Sequence, residues 1–494
     1  MPKQNTDCLS HKERISKIIL RAEGNPSIGL GHIYRLFSLG QMVEGKYSAT
    51  FVSHSDVSHI LSGSTIEQYQ MPTDLSLQEE PNWLKSNFSS DEYIVVVDGY
   101  DFSDEYFKQL KTAGYKTVYL DDFIRNVEVD IIVNLALGID PSSYSTNPNQ
   151  RVLTGTKFAL LRPEFSRPIK EVKKDSCLIA FGATDIAQLG AKAVQACLNV
   201  DQFEEIHVIT GHAHSQELTE LAEVNKSVKL HYNLSASDLV DIMDGCNIAF
   251  CSPSGIAYEL CSRRVPFFVG YYADNQVLFH DGLVKGLLGL HMGDITQHTV
   301  SHFEEELENH DRYHTADQIS AQEKHFDHKS ADRWVQILDS LVSGLTIRPC
   351  DMNDVDAVFE MANDPIVRNS SYHSEKITYD VHVNWFKSKL DNPDSFLYSL
   401  EMGKEMAGFV RFDIDGEHAV IGLIVMEAFR GQRLASPMLV IACEKFHESH
   451  RLPILAYIKK SNMVSSKSFK RANFEFVRDE IIEDHPSAVF TLLP

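Results

Sequence analysis

The sequence predicts an α/β chain in three parts: two lobes built on Rossmann-like parallel sheets, followed by a smaller α+β domain. Three observations predict it. Short β-branched runs alternate with amphipathic stretches as far as about residue 340. A polar, charged stretch at residues 167–175 interrupts that series. After residue 345 the order changes to a helix and then consecutive strands. A length of 494 residues suits about three domains.

In the first lobe, residues 15–165, the runs 17–20 (KIIL), 50–53, 93–97 (YIVVV), 117–120 and 130–133 read as strands. Residues 33–44 and 104–113 read as amphipathic helices. The strand runs are continuously apolar, as strands covered on both faces of a parallel sheet must be. The second lobe, 166–343, repeats the pattern with strands at 177–181, 205–209, 228–232, 248–251 and 266–269. Residues 301–329, rich in His, Glu and Asp, read as a solvated helical connector. The third part, 345–494, opens on LTIRP and continues into strands at 396–401, 406–413 and 418–425.

Hydrophobic residues make up 43% and charged residues 23%, a soluble globular composition. Against 46 Lys and Arg stand 69 Asp and Glu, a net charge of −23. So acidic a surface repels phosphate backbones and anionic lipid, which argues against nucleic acid or a membrane surface as a partner. The 8 cysteines form no CxxC pair, so we expect a reduced, cytoplasmic setting with neither disulfides nor a metal centre. No apolar run reaches the ~18–20 residues of a spanning helix. Composition carries nothing about oligomeric state.

Residues 19–35, ILRAEGNPSIGLGHIYR, run from a strand through a loop with Gly24, Gly29 and Gly31 into a helix beginning near His32. Glycines let a backbone approach a ligand, and a helix N-terminus offers N–H groups to an anion. An imidazole there is a candidate base near neutral pH, the alternative being a plain helix cap. VVVDGY ends a second strand in Asp98, Gly99 and Tyr100, and YLDD ends a third, so several polar strand ends meet at one sheet edge. In the second lobe, a strand leads into Ser252-Pro253-Ser254-Gly255 and a helix holding Glu259, with Asn275-Gln276 after the next strand. Amides and a helix dipole suit a phosphate, and a carboxylate suits a diol. Gly182 and Thr184, in FGATD at another strand end, face the same phosphates in this reading.

This second constellation resembles the donor-nucleotide site of GT-B enzymes of the MurG-like group. RAEGNPSIGLGHIYR, VVVDGY, YLDDF, ALLRPEF, FGATD, SPSGIAYEL and NQ, in that order, resemble the UDP-sugar hydrolases of pseudaminic acid biosynthesis. The resemblance implies a two-lobed GT-B-like fold with the site in its cleft, with water attacking the anomeric carbon and releasing UDP. It implies His32 as the base with Tyr100 beside it. Arg21, Gly29, Gly31, Arg35 and Asp98 would then serve the sugar and phosphate pocket. Gly182, Thr184, Ser254, Gly255, Glu259, Asn275 and Gln276 would hold the nucleotide. The chain departs from that family at Gly99, often His, at Ala183, often Gly, and at Tyr258, sometimes Asn.

Residues 345–494 resemble a GNAT N-acetyltransferase. Strand end Val425 is followed by Arg430-Gly431-Gln432-Arg433-Leu434-Ala435, similar to the family's pyrophosphate loop, with Arg433 where glycine is usual. NMVSSKSFKRANF places Asn462 and Phe469 on the family's later motif, Phe469 standing where a thiolate-protonating tyrosine is usual. The resemblance implies acetyl-CoA as co-substrate. Together the two resemblances imply a bifunctional enzyme that acetylates the 4-amino group of a UDP-amino-sugar and removes UDP from the product. A GT-B glycosyltransferase and a non-catalytic sugar-nucleotide sensor stand as alternatives.

Overall fold

Seven strands run parallel in the first sheet of the computed structural model, which describes residues 16–24, 30–145, 147, 150–170, 175–182, 188–211, 214–309 and 312–494. They are β1 (Lys17–Ala22), β2 (Ser48–Ser53), β3 (Glu67–Gln70), β4 (Tyr93–Asp98), β5 (Lys116–Leu120), β6 (Ile131–Asn134) and β7 (Arg151–Thr154). Their order is β3-β2-β1-β4-β5-β6-β7. Ile19, Val95 and Val97 are fully buried, as the continuous apolar runs require. The order reverses between β1 and β4, and in such a sheet the crevice at that switch point, outside the carboxyl ends of the strands, receives the ligand.

The second sheet repeats the plan with β8 (Ser176–Ala180), β9 (Glu205–Ile209), β10 (Val228–His231), β11 (Ile248–Cys251), β12 (Phe267–Tyr271) and β13 (Leu290–Asp294). Its order is β10-β9-β8-β11-β12-β13, again all parallel, with the switch point between β8 and β11. These are the Rossmann-like arrangements expected.

The solvated connector expected at 301–329 is corrected by the structure. Phe303 of helix Val300–Glu308 is fully buried in the second lobe's core. In helix Arg312–His325, buried Gln322 donates to the carbonyls of Val265 and Leu288, and Gln318 accepts from the Phe267 N–H. Two glutamines thus satisfy backbone groups that sheet and helix leave open, so this face packs inward through amides that composition reads as solvated.

The chain divides into two compact units, Met1–Trp334 and Val335–Pro494. The second is built on β14 (Leu345–Pro349), β15 (Ser395–Met402), β16 (Glu405–Asp415), β17 (His418–Val425), β18 (Ile454–Lys459), β19 (Glu475–Ile482) and β20 (His485–Leu492), in the order β14-β15-β16-β17-β18-β20-β19. Every pairing is antiparallel except β17 with β18. Helix Ala435–His447 lies on this sheet, its Phe446 ring stacked 4.5 Å from Phe412. Among the described residues no helix is long and apolar enough to cross a membrane.

Candidate functional site

At the first switch point β1 leads to helix Gly31–Met42, β4 ends in Asp98, and β5 ends just before Asp121 and Asp122. His32 is in the helix's first turn and is 6% exposed. Its Nδ1 lies 2.8 Å from Oδ1 of the fully buried Asp98. It also lies 2.9 Å from Arg35 Nη2, which donates to Asp98 Oδ1 at 2.6 Å and Asp122 Oδ2 at 3.0 Å. Both Nη2 protons therefore have carboxylates to go to, and a carboxylate only accepts. Nδ1 thus carries its own proton to Asp98, leaving the lone pair on Nε2.

Arg35 completes the assembly by donating from Nε to Asp98 Oδ2 at 2.8 Å and from Nη1 to Asp122 Oδ1 at 2.8 Å. Burial works to raise the Asp98 pKa, but the Arg35 charge and the hydrogen bonds from His32 and Arg35 prevail and hold it below the ordinary carboxylate range. Tyr100 donates to Asp122 Oδ2 at 3.1 Å and meets the His32 ring edge-on, centroids 4.6 Å apart. Burial, then the Asp122 charge, pushes the Tyr100 phenol up to about 12, so at neutral pH it is a hydrogen-bond donor.

His32 and Tyr100 line a cavity of about 280 Å³ with Arg21, Glu23, His54, Leu77, Glu80 and Phe102 among its other walls. Two expectations are corrected here. Asp98 and Arg35 do not line the cavity: their polar atoms are spent on each other, His32 and Asp122, so they orient the His32 ring and are not placed to contact a ligand there. Arg21 is 1% exposed and donates to Glu80, Glu23 and the Ala22 carbonyl, so it stiffens the wall. Gly31 opens the helix, and a Cβ there would meet nothing within 4 Å. Gly99 has φ +148° and a Cβ there would press on Phe102 at 2.9 Å, which accounts for glycine at that position. Gly29 and Thr184 lie outside the described residues.

The second switch point supplies Ser254 as the N-cap of helix Gly255–Ser262, with no side-chain hydrogen bond to the helix's first N–H groups. Glu259, five residues after Ser254, is almost buried and accepts from Arg162 Nη2 at 2.8 Å through Oε1. Burial raises its pKa and Arg162 opposes that. Gln276 accepts from the Tyr272 N–H, and Gly182, at φ +116°, lies under the Tyr272 hydroxyl. Asn275, expected at the nucleotide, donates to the Tyr100 hydroxyl at 3.1 Å. Arg162, Asp122, Glu23 and His54 were missed as individuals. The first two stood inside ALLRPEF and YLDDF, and Glu23 inside RAEGN, whereas nothing around His54 marks it.

In the second unit β17 and β18 pair only at Ala419–Ile454 and Val420–Leu455. Beyond Val420 the two strands part, and the facing backbone groups of the rest of β17 lose their ladder partners on that side. After Val425 a short turn leads to Gly431 at φ +77° and Arg433 at φ +61°, then to helix Ala435–His447, whose first turn has no side-chain cap. Arg430 donates from Nε to the Val425 carbonyl at 3.0 Å, and its Nη1 lies 3.0 Å from Asp364. Its Nη2 is buried with no hydrogen-bond partner among the described residues. Gln432 donates to the Ala428 carbonyl, and Leu434 is buried. Uncapped N–H groups, open space at Gly431 and an unspent guanidinium nitrogen fit a phosphate-bearing ligand. Asn462 caps helix Met463–Arg471 through Ser465 N, and Phe469 lies in the core, 4.9 Å from Phe474. Among the described residues no group of three or more His, Cys, Asp or Glu is placed to hold a metal ion.

Residues 344–475 match the acetyltransferase (GNAT) domain family. Over those residues the second unit accordingly carries an acetyltransferase domain of the GNAT kind. An uncharacterized protein of Methanocaldococcus jannaschii is 21% identical over 489 residues, 93% of this chain and 96% of its own. The spore coat polysaccharide biosynthesis protein SpsG of Bacillus subtilis is 22% identical over 264 residues, 52% of this chain and 77% of its own. Among solved structures, spermidine N-acetyltransferase of Vibrio cholerae in complex with CoA and spermine is 14% identical, covering 31% of this chain and 96% of that one at a TM-score of 0.29. Aminoglycoside acetyltransferase AAC(6')-Ib in complex with coenzyme A is 14% identical, covering 30% and 94% at a TM-score of 0.28.

Proposed function

We propose that this chain is a bifunctional nucleotide-sugar enzyme. The C-terminal domain acetylates the 4-amino group of a UDP-4-amino-sugar, and the first unit hydrolyses the acetylated product to sugar and UDP. Residues 15–165 form the catalytic lobe, 166–343 the UDP-binding lobe and 345–494 the acetyltransferase. The substrates are UDP-4-amino-4,6-dideoxy-β-L-AltNAc and then UDP-2,4-diacetamido-2,4,6-trideoxy-β-L-altropyranose. The name of the Bacillus subtilis relative supports a role in sugar biosynthesis.

The observation that carries the hydrolase is the Nε2 of His32 on the cavity, which has no hydrogen-bond partner among the described residues, with Asp98 on Nδ1. His32 takes a proton from water at Nε2, the water oxygen bonds to the anomeric carbon, and the bond from that carbon to the UDP oxygen breaks. Asp98 stabilises the imidazolium that forms. The Tyr100 hydroxyl orients the water or the sugar. Amides at Ser254-Gly255 bind the diphosphate, and Glu259 accepts from the ribose hydroxyls through Oε2 while Arg162 holds Oε1. In the second unit the N–H groups of the Gly431–Ala435 loop and Arg430 hold the pyrophosphate of acetyl-CoA, with the parted edge of β17 beside the rest of the molecule. When bound, acetyl-CoA supplies an activated acetyl group.

The test is incubation of the full chain with UDP-4-amino-4,6-dideoxy-β-L-AltNAc and acetyl-CoA, with products identified by NMR. We expect coenzyme A, UDP and 2,4-diacetamido-2,4,6-trideoxy-L-altrose. An acetylated nucleotide sugar that accumulates uncleaved would overturn the hydrolase, and a requirement for a second acceptor before UDP appears would identify a glycosyltransferase.

A further inference from the structure

The cavity holding His32 has a second polar wall that the proposed mechanism leaves unused. Glu23, the residue after β1, presents a carboxylate whose two oxygens are treated differently. Oε1 accepts from Arg21 Nη1 at 2.6 Å, the His54 N–H at 2.9 Å and His54 Nδ1 at 2.9 Å. Among the described residues Oε2 has only long contacts, Ser55 N at 3.4 Å and Ser55 Oγ at 3.3 Å. Since a carboxylate has about four lone-pair sites, Oε1 is filled and Oε2 retains capacity. Glu23 lines the cavity, with about a quarter of its side chain open.

Beyond Ser55, the described neighbours supply no competing donor to Oε2. Arg21 is buried, and both Nη2 and Nε are committed to Glu80. The two ring nitrogens of His54 face Glu23 Oε1 and the Leu75 carbonyl. Burial opposes ionisation of Glu23, but Arg21 and the His54 N–H groups outweigh it and hold its pKa low. Leu77 and Phe102 complete this wall with apolar surface.

We propose that Glu23 is a sugar-binding residue of the hydrolytic cavity, its Oε2 accepting from an O–H or N–H of the sugar while Arg21 and His54 position the carboxylate. The assignment rests on the hydrolase reading above for the ligand class. It locates the sugar between His32 and Glu23 and makes Glu23 answer for the sugar part of affinity alone, because the nucleotide is held by the other lobe.

The test is titration calorimetry of the full chain with UDP and with UDP-2,4-diacetamido-2,4,6-trideoxy-β-L-altropyranose, alongside UDP-release kinetics. Glu23→Gln keeps an acceptor for Arg21 and His54 but turns one oxygen into a donor. We expect it to weaken the nucleotide sugar at least tenfold and leave UDP within twofold. His54→Gln, which loosens the carboxylate without removing it, should show a smaller loss of the same kind. Equal weakening of both ligands, or of neither, would overturn the assignment, as would a wild-type chain that binds the sugar nucleotide no better than UDP. A wild-type chain that binds the sugar nucleotide tightly, loses that binding in Glu23→Gln and never releases UDP would leave Glu23 assigned and refute the hydrolase.

Discussion

His32 and Asp98 are joined through Nδ1 and Oδ1 at 2.8 Å, with the carboxylate fully buried. In the neutral ring the pairing puts the proton on Nδ1 and leaves the lone pair on Nε2. His32→Ala removes the proposed base but leaves the Asp98–Arg35 pairing in place, since the ring's charged partners among the described residues are joined to each other. UDP release should fall by about 100-fold or more. Acetyl transfer, followed by release of free coenzyme A thiol, should persist. Retained UDP release would refute the base assignment.

Asp98→Asn separates orientation from charge. The amide is nearly isosteric, but if its nitrogen faces Nδ1 the ring must present its lone pair there and its proton at Nε2. We expect kcat for UDP release to drop by roughly 10²–10⁴ with KM little changed. A KM defect with normal kcat would return Asp98 to the substrate-binding role expected from the sequence.

The same carboxylates set the acid limit of the first unit. Asp98 and Glu23 have folded pKa values below their unfolded ones. The unfolded chain therefore takes up protons first as pH falls. The stability they contribute is complete above the unfolded carboxylate range, about pH 4, and is lost as pH drops through the lower folded values. Thermal unfolding should shift to lower temperature below about pH 4, less steeply in Asp98→Asn. A variant as acid-sensitive as wild type would show that this carboxylate carries no such linkage.

Strands β1, β4, β5, β8 and β11 were legible because a strand covered on both faces is a continuous apolar run. Strand β3 (EQYQ) was not, being a polar strand at the sheet's edge, and neither was β19 (EFVRDEII), where apolar and charged residues mix. The positions of His32, Tyr100, Ser254 and Glu259 near the switch points were legible because each sits at a fixed offset from a strand end or a glycine. The pairing of Asp98 with Arg35 was not. Whether a charge meets solvent or another charge is decided by residues distant in sequence, here the Asp98–Arg35–Asp122 bridge. The parting of β17 from β18 depends on pairing between strands and leaves no trace in either one.

Arg162 and Glu259 are joined across 97 positions of sequence. Because burial already raises the Glu259 pKa, removing the guanidinium should raise it further. In Arg162→Met the carboxyl will be increasingly protonated at neutral pH and will lose acceptor capacity. UDP affinity should fall about tenfold at pH 7 and recover partly as pH rises, whereas wild type should stay nearly flat over that range. Calorimetric titration at three pH values checks it. A pH-independent loss would mean that Arg162 contacts UDP itself.

The phosphate loop of the second unit offers a test that leaves the first untouched. Gly431 stands at φ +77°, where any side chain is strained by about 1–2 kcal/mol, and open space there is what a phosphate would fill. Gly431→Glu adds strain, bulk and a negative charge at once, so acetyl transfer should fall beyond detection while UDP release from an already acetylated substrate continues. Loss of both would indicate misfolding. Arg433, at φ +61°, already bears the strain that Gly431 avoids. Arg433→Gly should therefore be more stable than Arg433→Ala by about 1 kcal/mol in chemical denaturation of the C-terminal unit. The reverse order would mean that this loop does not hold the left-handed backbone in solution.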